Sequence, residues 1–372
     1  DNNGHGTHVA GIVASTDNTF RGIAPDATIV AIKSLDSNGN GTTANIVAGI
    51  DWCVNNASKF NISVISMSLG TLTLFTSHCD SSSDSFTDAV ANAIKRNISV
   101  IAATGNSGST SGIALPACIT NVTSVSSVGD TDAIAGYSNR NNITDLLAPG
   151  GANTAGNHIK STVPKGDCEL CDPSGFKELS GTSMATPHVA GAFALLRQYR
   201  RLEQNIILTP LQIQNSLNST GKLINDSGGS NLIYSRINIF SALLSLDTIA
   251  PNITLVAPTP ANNTNTSNSS FIINITSNEV LSTVILEFNS TNETINPTSI
   301  PLNWMKNKTA SSFGVFNYRI YGNDSAGNMR ITPTFLISIN NTAPSITSFF
   351  PANLSIGIAE PNNLTFNISV ID

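Results

Sequence analysis

Three uninterrupted β-branched runs constrain this chain more than any other feature: Thr28-Ile29-Val30-Ala31-Ile32-Lys33, Ile62-Ser63-Val64-Ile65-Ser66-Met67 and Ile98-Ser99-Val100-Ile101-Ala102. Apolar runs of this length without strict alternation predict strands buried on both faces. Segments with helical spacing stand between them. Thr43 to Asn55 carries Ile46, Val47, Ile50 and Cys53, and Phe86 to Arg96 follows Ser85 as its expected cap. Val9 to Ser15 reads as a helix of small residues. Pro210 to Leu217 and Ile239 to Leu246 read as two closing helices. Strands alternating with helices over short connections predict an α/β domain, a mostly parallel sheet with helices on both faces. Ligands of such sheets bind beyond the carboxyl ends of the strands. Here those ends are Ser68-Leu69-Gly70 and Thr104-Gly105-Asn106.

The pattern changes at Asp247-Thr248-Ile249-Ala250-Pro251. Beyond it come short alternating runs such as Phe271-Ile272-Ile273-Asn274-Ile275 and Thr283 to Phe288, the pattern of an all-β sandwich. The pattern also repeats. Ala250-Pro251 returns as Ala343-Pro344, Pro258 as Pro351 and Asn274-Ile275 as Asn367-Ile368, each at an offset of 93 residues. That spacing suits an immunoglobulin-like module of roughly 100 residues. The expected organisation is an α/β domain over 1–246, one immunoglobulin-like module over 247–339, and the start of a second over 340–372. The chain opens inside a motif and closes inside a module, so it reads as truncated at both ends.

Charged residues make up 11% of the chain and the net charge is −6. Ordinary soluble proteins carry roughly 25%. Neither half has the strong bias that nucleic acid or an acidic membrane surface attracts, so nucleic acid is excluded as a partner. No apolar run approaches the roughly 18 residues of a membrane span. All five cysteines lie in the first half. Cys79 and Cys118 flank a strand-and-loop region and are expected to pair. Cys168-Glu169-Leu170-Cys171 has no second pair to complete a zinc site and opens no helix, so a local disulfide is the better reading. Cys53, in an apolar helix, is expected to be a buried thiol. Asn-x-Ser/Thr sequons recur at Asn56, Asn97, Asn121, Asn142, Asn252, Asn274, Asn289, Asn307 and Asn323. An Asn- and Thr-rich chain makes sequons by chance. With low charge and paired cysteines they nonetheless point to an extracellular or cell-surface location.

The chemistry concentrates in three segments. Ser183 stands in Ser180-Gly181-Thr182-Ser183-Met184-Ala185-Thr186-Pro187-His188-Val189-Ala190-Gly191. A serine there is ordinarily a helix cap. With the helix starting near Thr182, however, Pro187 lacks the N–H that would serve the Ser183 carbonyl, and such a defect beside a serine suggests a site. The N–H of Ser183 is free at the helix start to donate to an anion. His5 opens Gly4-His5-Gly6-Thr7-His8-Val9-Ala10-Gly11. A lone histidine there is more often structural. A metal pair with His8 lacks a third ligand, and no glutamate follows as in H-E-x-x-H. Asn106 ends Ala103-Thr104-Gly105-Asn106 as either a turn residue or an amide donor aimed at a developing oxyanion.

Taken in order, these segments resemble the subtilisin-like serine proteases, the subtilases. Gly22-Ile23-Ala24-Pro25, Ser66-Met67-Ser68-Leu69-Gly70, Leu115-Pro116-Ala117 and Ala148-Pro149-Gly150 agree. The resemblance covers roughly residues 1 to 246, and the serine motif is long enough to be specific. It implies Ser183 as nucleophile and His5 as general base, with the Asn106 side chain and the Ser183 N–H as the oxyanion hole. It implies Ser68-Leu69-Gly70 and Ala103-Thr104-Gly105 as two walls of the pocket for the residue before the scissile bond. An extended polypeptide substrate would pair with these walls as an added strand. Thr104 stands where the family often has a smaller residue, so a narrowed pocket is expected. His188 is read as helix packing.

The family's triad aspartate lies upstream of the histidine in an Asp-Ser/Thr-Gly context. Asp1 lacks that context, so the carboxylate is expected outside these residues, and the chain as given is expected to be nearly inactive. Some subtilases hold structural calcium. The loop Thr16 to Arg21 offers only Asp17 and Asn18 as obvious ligands, and no cofactor is assigned. The competing readings are a surface binding or adhesion protein with a degenerate protease domain, and a serine esterase. The esterase elbow needs a glycine where Ala185 stands. Cell wall, glycan or protein are the candidate ligands of the β modules.

Overall fold

The runs at Ile62 and Ile98 become adjacent strands in a computed structural model, which describes residues 1–152, 154 and 156–341 and the backbone of 345–350 and 367–371. The chain divides into two units, Asp1–Leu246 and Asp247–Asp372. The first unit has helices α1 (His5–Ala14), α2 (Thr43–Asn55), α3 (Ala57–Phe60), α4 (Asp84–Lys95), α5 (Thr182–Gln204), α6 (Pro210–Thr220) and α7 (Ile239–Leu246). Its strands are β1 (Val64–Met67), β2 (Leu74–Phe75), β3 (Ser99–Ala103), β4 (Ile113–Ala114), β5 (Val122–Val128), β6 (Leu146–Pro149), β7 (Ile159–Thr162), β8 (Phe176–Leu179), β9 (Lys222–Asn225) and β10 (Ile233–Arg236).

The main sheet runs β1-β3-β5-β6-β10-β9, parallel throughout except for β9. Every residue of β3 and β5 is buried, as helices on both faces require. The period of two along β3 separates the two cores. Val100 and Ala102 pack with Ile50 and Val54 of α2 and Phe86 and Val90 of α4. Ile101 packs on the other face with Val189, Phe193 and Leu196 of α5 and with Ile213 and Leu217 of α6. Thr209 and Gln212 cap α6 reciprocally, with Pro210 at its first turn.

Three expectations need correction. The run Thr28–Lys33 forms no strand, and Ile29 and Ile32 are 45% and 38% exposed. No strand among the described residues pairs with it. It faces the open edge of β1 across a groove of about 1740 Å³. Helix α4 starts at Asp84, so its N-cap position is Ser83, whose side chain makes no capping bond, and Ser85 lies inside the first turn. Helix α1 begins at His5, four residues before Val9. The disulfides Cys79–Cys118 and Cys168–Cys171 are both formed, and Cys53 is a buried thiol.

The second unit builds two sheets around one core. Ile253–Leu255, Ser270–Ser277, Asn303–Thr309 and Asn296–Pro297 form an antiparallel sheet of four strands. Thr264–Thr266, Phe335–Ile339, Gly314–Asp324, Leu281–Phe288 and Thr291–Thr294 form the other, with Met329–Ile331 pairing Gly314–Asp324. Ile273, Ile275 and Trp304 meet Leu286, Ile320 and Ile337 between them. The expected second module over 340–372 lies mostly outside the described residues. Within it, the backbones of 345–350 and 367–371 pair antiparallel. Asn121, Asn142, Asn252, Asn289 and Asn307 are exposed sequons. Asn274 is not an open acceptor: it is 7% exposed and its amide donates to Ala257 O. Among the described residues no helix is long and apolar enough to cross a membrane.

Candidate active site

Ser183 lies in the first turn of α5, where backbone N–H groups have no intrahelical acceptor. Pro187 sits inside the helix, so the Ser183 carbonyl has no donor four residues on. Ser68, just past the end of β1, supplies one: its hydroxyl donates to Ser183 O at 2.7 Å. The Ser183 hydroxyl faces Ser68 O at 3.5 Å. The strand end and the helix start are thus tied at Ser183.

Asn106 follows β3 in a glycine-flanked turn. Its Oδ1 accepts from the Thr182 N–H and from the Thr182 hydroxyl, both at 2.9 Å. A backbone N–H can only donate, so this contact fixes which end of the amide is oxygen. The Nδ2 end of the amide is then its donor. A Cβ added to Gly181 would lie 3.4 Å from Asn106 Nδ2, 3.6 Å from Ser183 N and 3.7 Å from Asn106 Oδ1. Two donor nitrogens therefore border one small volume beside Gly181. Gly181 keeps that volume free of a side chain.

His5 opens α1, which packs against α5. Together with Ser68, whose hydroxyl bonds the Ser183 carbonyl, it lines the groove beside β1. Burial holds the His5 pKa below 6.5, which keeps the imidazole neutral and able to take a proton. No carboxylate among the described residues bonds its ring. Asp1 instead caps α1: one oxygen accepts from the Thr7 N–H at 2.7 Å, and the other from the N–H groups of Asn3 and Gly4. His8 is fully buried with Nε2 on Lys177 O at 3.0 Å, and His188 bonds Met184 O of its own helix. Both are structural.

The two expected pocket walls flank this site at the ends of β1 and β3. The expected narrowing by Thr104 is corrected by its side-chain direction. Thr104 is fully buried, and its hydroxyl reaches Asn139 O at 2.7 Å and Ser126 Oγ at 3.0 Å, away from the serine. Only its backbone is left for the expected wall with Ala103 and Gly105, the other expected wall being Ser68, Leu69 and Gly70. Thr182 was missed as the residue that orients Asn106, although it stands inside the serine motif. In the loop Thr16 to Arg21, Asp17 Oδ1 accepts from the N–H groups of Thr19 and Phe20. The one described group of three carboxylates that approach one another closely is Asp247, Glu279 and Asp324, in the second unit.

Residues 1–237 match the family model described as "Subtilase family". Subtilisin DY of Bacillus licheniformis is 38% identical over 232 residues, covering 61% of this chain and 73% of that protein. The minor extracellular protease Epr of Bacillus subtilis is 36% identical over 210 residues, covering 56% of this chain and 28% of Epr. Alkaline serine exoprotease A of Vibrio alginolyticus is 36% identical over 239 residues, covering 63% and 39%. The chain thus spans between about a quarter and three quarters of the length of these relatives. Among solved structures, a cold-adapted subtilisin-like serine proteinase matches with a TM-score of 0.50 at 35% identity, covering 64% of this chain and 77% of that one. A lanthipeptide protease matches with a TM-score of 0.54 at 25% identity, covering 66% and 77%. By the match over residues 1–237, this chain belongs to the subtilase family.

Proposed function

We propose that this protein is an extracellular or cell-surface serine endopeptidase. Ser183 attacks the scissile carbonyl, His5 takes its proton and returns it to the leaving amine, and Asn106 Nδ2 with the Ser183 N–H holds the oxyanion. The observation that supports this reading is that Asn106 Nδ2 and Ser183 N border the same small volume beside Gly181, with the Asn106 amide oriented by Thr182. A degenerate binding domain has no use for that arrangement.

The triad carboxylate is proposed to come from a strand that precedes His5 in the sequence. The groove between β1 and Thr28–Lys33 supports this. It offers an unpaired sheet edge and β-branched walls, and His5 and Ser68 are among the residues that line it. On this reading a strand seated there carries the carboxylate that fixes the imidazole tautomer. The second unit is proposed to be an immunoglobulin-like module that carries or positions the peptidase. The exposed sequons, Asn121, Asn142, Asn252, Asn289 and Asn307 among them, support an extracellular setting.

The test is labelling by a serine-directed fluorophosphonate. Expression with the coding sequence upstream of Asp1 is expected to give strong labelling, abolished by Ser183→Ala. Labelling that survives Ser183→Ala would overturn the assignment, and an upstream sequence without an aspartate-bearing strand would sink the active-triad reading.

A further inference from the structure

The segment that carries His5 rests on a small covalent ring. Cys168 and Cys171 are joined by a disulfide, and the two residues between them, Glu169 and Leu170, are the ones that meet this segment. The Leu170 N–H donates to Asn3 O at 2.9 Å. Asn3 Nδ2 donates to Glu169 Oε2 at 3.0 Å, while Asn3 Oδ1 accepts from the His5 N–H at 3.3 Å. Gly4, at φ 100°, has no room for a side chain, since a Cβ there would lie 2.9 Å from Leu170 Cβ. The ring thus fits against Asn3 and Gly4, and through the Asn3 amide it reaches His5. Further along α1, Thr162 and Ser161 of β7 donate to the carbonyls of Thr7 and His8 at 3.0 and 2.8 Å. Those bonds hold the body of the helix from outside the ring. The two disulfides also differ in access. Cys168 and Cys171 are half-buried, whereas Cys79 and Cys118 are 2% and 0% exposed. A thiol in solution therefore reaches the first pair more readily than the second.

We propose that the Cys168–Cys171 disulfide is a redox switch that positions His5. Closed, it holds Glu169 and Leu170 against Asn3 and Gly4; opened, it releases them, and the histidine loses its fixed place. The inference rests on the peptidase reading and adds its regulation. The opening reagent is a dithiol. Its thiolate attacks one cysteine sulfur, the S–S bond breaks and a mixed disulfide forms; its second thiol then displaces the remaining cysteine. Two electrons and two protons pass to Cys168 and Cys171, which become thiols, and the reagent leaves as a disulfide. The ring closes over a separation of 3 residues, against 39 for Cys79–Cys118, so it restrains far less of the unfolded chain. Its opening therefore acts on the local fit more than on the stability of the unit. Disulfides persist outside cells and are reduced in the thiol-rich interior. The same peptidase is thereby slow before export and fast after it.

The test is reduction of the protein expressed with the coding sequence upstream of Asp1. The dithiol is used at a concentration where alkylation and mass spectrometry find thiols at Cys168 and Cys171 with Cys79–Cys118 intact. Fluorophosphonate labelling of Ser183 is expected to slow by about 10- to 100-fold, since misplacing a reacting group by about 1 Å can cost about 10²-fold. It is expected to recover on reoxidation. Cys168→Ser with Cys171→Ser should label at the slow rate in either redox state. The histidine ring resonances of the Ser183→Ala form, read by NMR, separate positioning from general loosening. Reduction should move the His5 resonance and leave that of His188 in place. An unchanged labelling rate in the reduced parent overturns the inference, as does a shift of both histidines together. The reduced and oxidised parent decide the matter by themselves if the double serine variant does not fold. No labelling of the oxidised protein would instead defeat the peptidase reading; a His5 resonance unmoved by reduction would then overturn the switch, and a moved one would uphold it.

Discussion

The Ser68 hydroxyl donates to the carbonyl of Ser183 at 2.7 Å, the carbonyl that Pro187 leaves without a helical partner. One hydrogen bond thus repairs the defect in α5 and fixes the nucleophile against the end of β1. Ser68→Ala is expected to lower the stability of the first unit by about 1–3 kcal/mol, the cost of an acceptor left unsatisfied. It is also expected to slow fluorophosphonate labelling of Ser183. Ser68→Thr, which keeps the hydroxyl, should recover much of both. Urea unfolding and labelling rates measure the pair. An unchanged midpoint in Ser68→Ala would show that the Ser183 carbonyl is served by solvent.

Thr182 holds Asn106 by two hydrogen bonds to one oxygen, so the proposed oxyanion donor is oriented before substrate arrives. Asn106→Ala should lower kcat by about 10²–10³ with little change in KM; that magnitude is the one known for the oxyanion asparagine of a subtilisin, a member of this family. Thr182→Val removes the side-chain bond but keeps the backbone bond. Its effect on kcat should fall well below that of Asn106→Ala. The double variant should be no worse than Asn106→Ala alone, because Thr182 acts on the transition state only through Asn106. Steady-state kinetics on a peptide amide distinguish these outcomes.

The strands at Val64 and Ser99 were legible because continuous β-branched runs have few other places to go. The same signal misled at Thr28–Lys33. Periodicity states what a segment suits, but a strand exists only where a neighbour supplies hydrogen bonds. Strand β5 was not read at all. Its sequence, Val-Thr-Ser-Val-Ser-Ser-Val, looks like a polar loop, yet all seven residues are buried. Its hydroxyls are satisfied one by one: Thr123 on Gln214, Ser124 on Asp145, Ser126 on Asn139 O and Ser127 on Tyr137. Those partners lie between 10 and 91 residues away, so no local pattern contains them. At the site, the segments around Ser183, His5 and Asn106 stand out because their motifs are long. The bond from Thr182 to Asn106 carries no such signal until the fold brings residues 76 apart together.

His8 carries a pH dependence of stability. Burial lowers its pKa below 6.5, outweighing the opposing hydrogen bond to Lys177 O, and its Nδ1 is buried without a partner. The pKa values of His5 and His188 are also lowered by burial. On acidification the unfolded chain therefore takes up these protons first, near pH 6.5, and stability falls as pH drops below that value. The urea midpoint of the first unit is expected to be lower at pH 5.5 than at pH 7.5. His8→Gln, which keeps a donor for Lys177 O, should shrink that difference. Asp145 acts the other way, because burial raises its pKa above 3.8. Comparing His8→Gln with the parent at each pH cancels that contribution. A pH difference unchanged in His8→Gln would remove His8 from the account.

Arg140 and Asp226 form a two-pronged ion pair, Nε to Oδ2 at 2.7 Å and one terminal nitrogen to Oδ1 at 2.9 Å, with both side chains 9% exposed. It joins the segment after Asn139, which bonds Thr104 and accepts from the N–H groups of Ser107 and Ser109, to the turn between β9 and β10. Burial alone would raise the Asp226 pKa. The Arg140 hydrogen bond and charge, with two hydrogen bonds from Ser230, outweigh it and hold the carboxyl below 3.8. The pair's contribution is therefore present above that pH and is lost as pH falls through the lowered value. Arg140→Ala or Asp226→Ala alone leaves a buried charge without its partner and is expected to cost about 3–5 kcal/mol. Replacing both together, Arg140→Met with Asp226→Leu, removes two desolvation costs along with the attraction and is expected to cost far less than the sum. Urea midpoints of the four proteins give the coupling directly. Additive losses would show that the two residues act independently despite their contact.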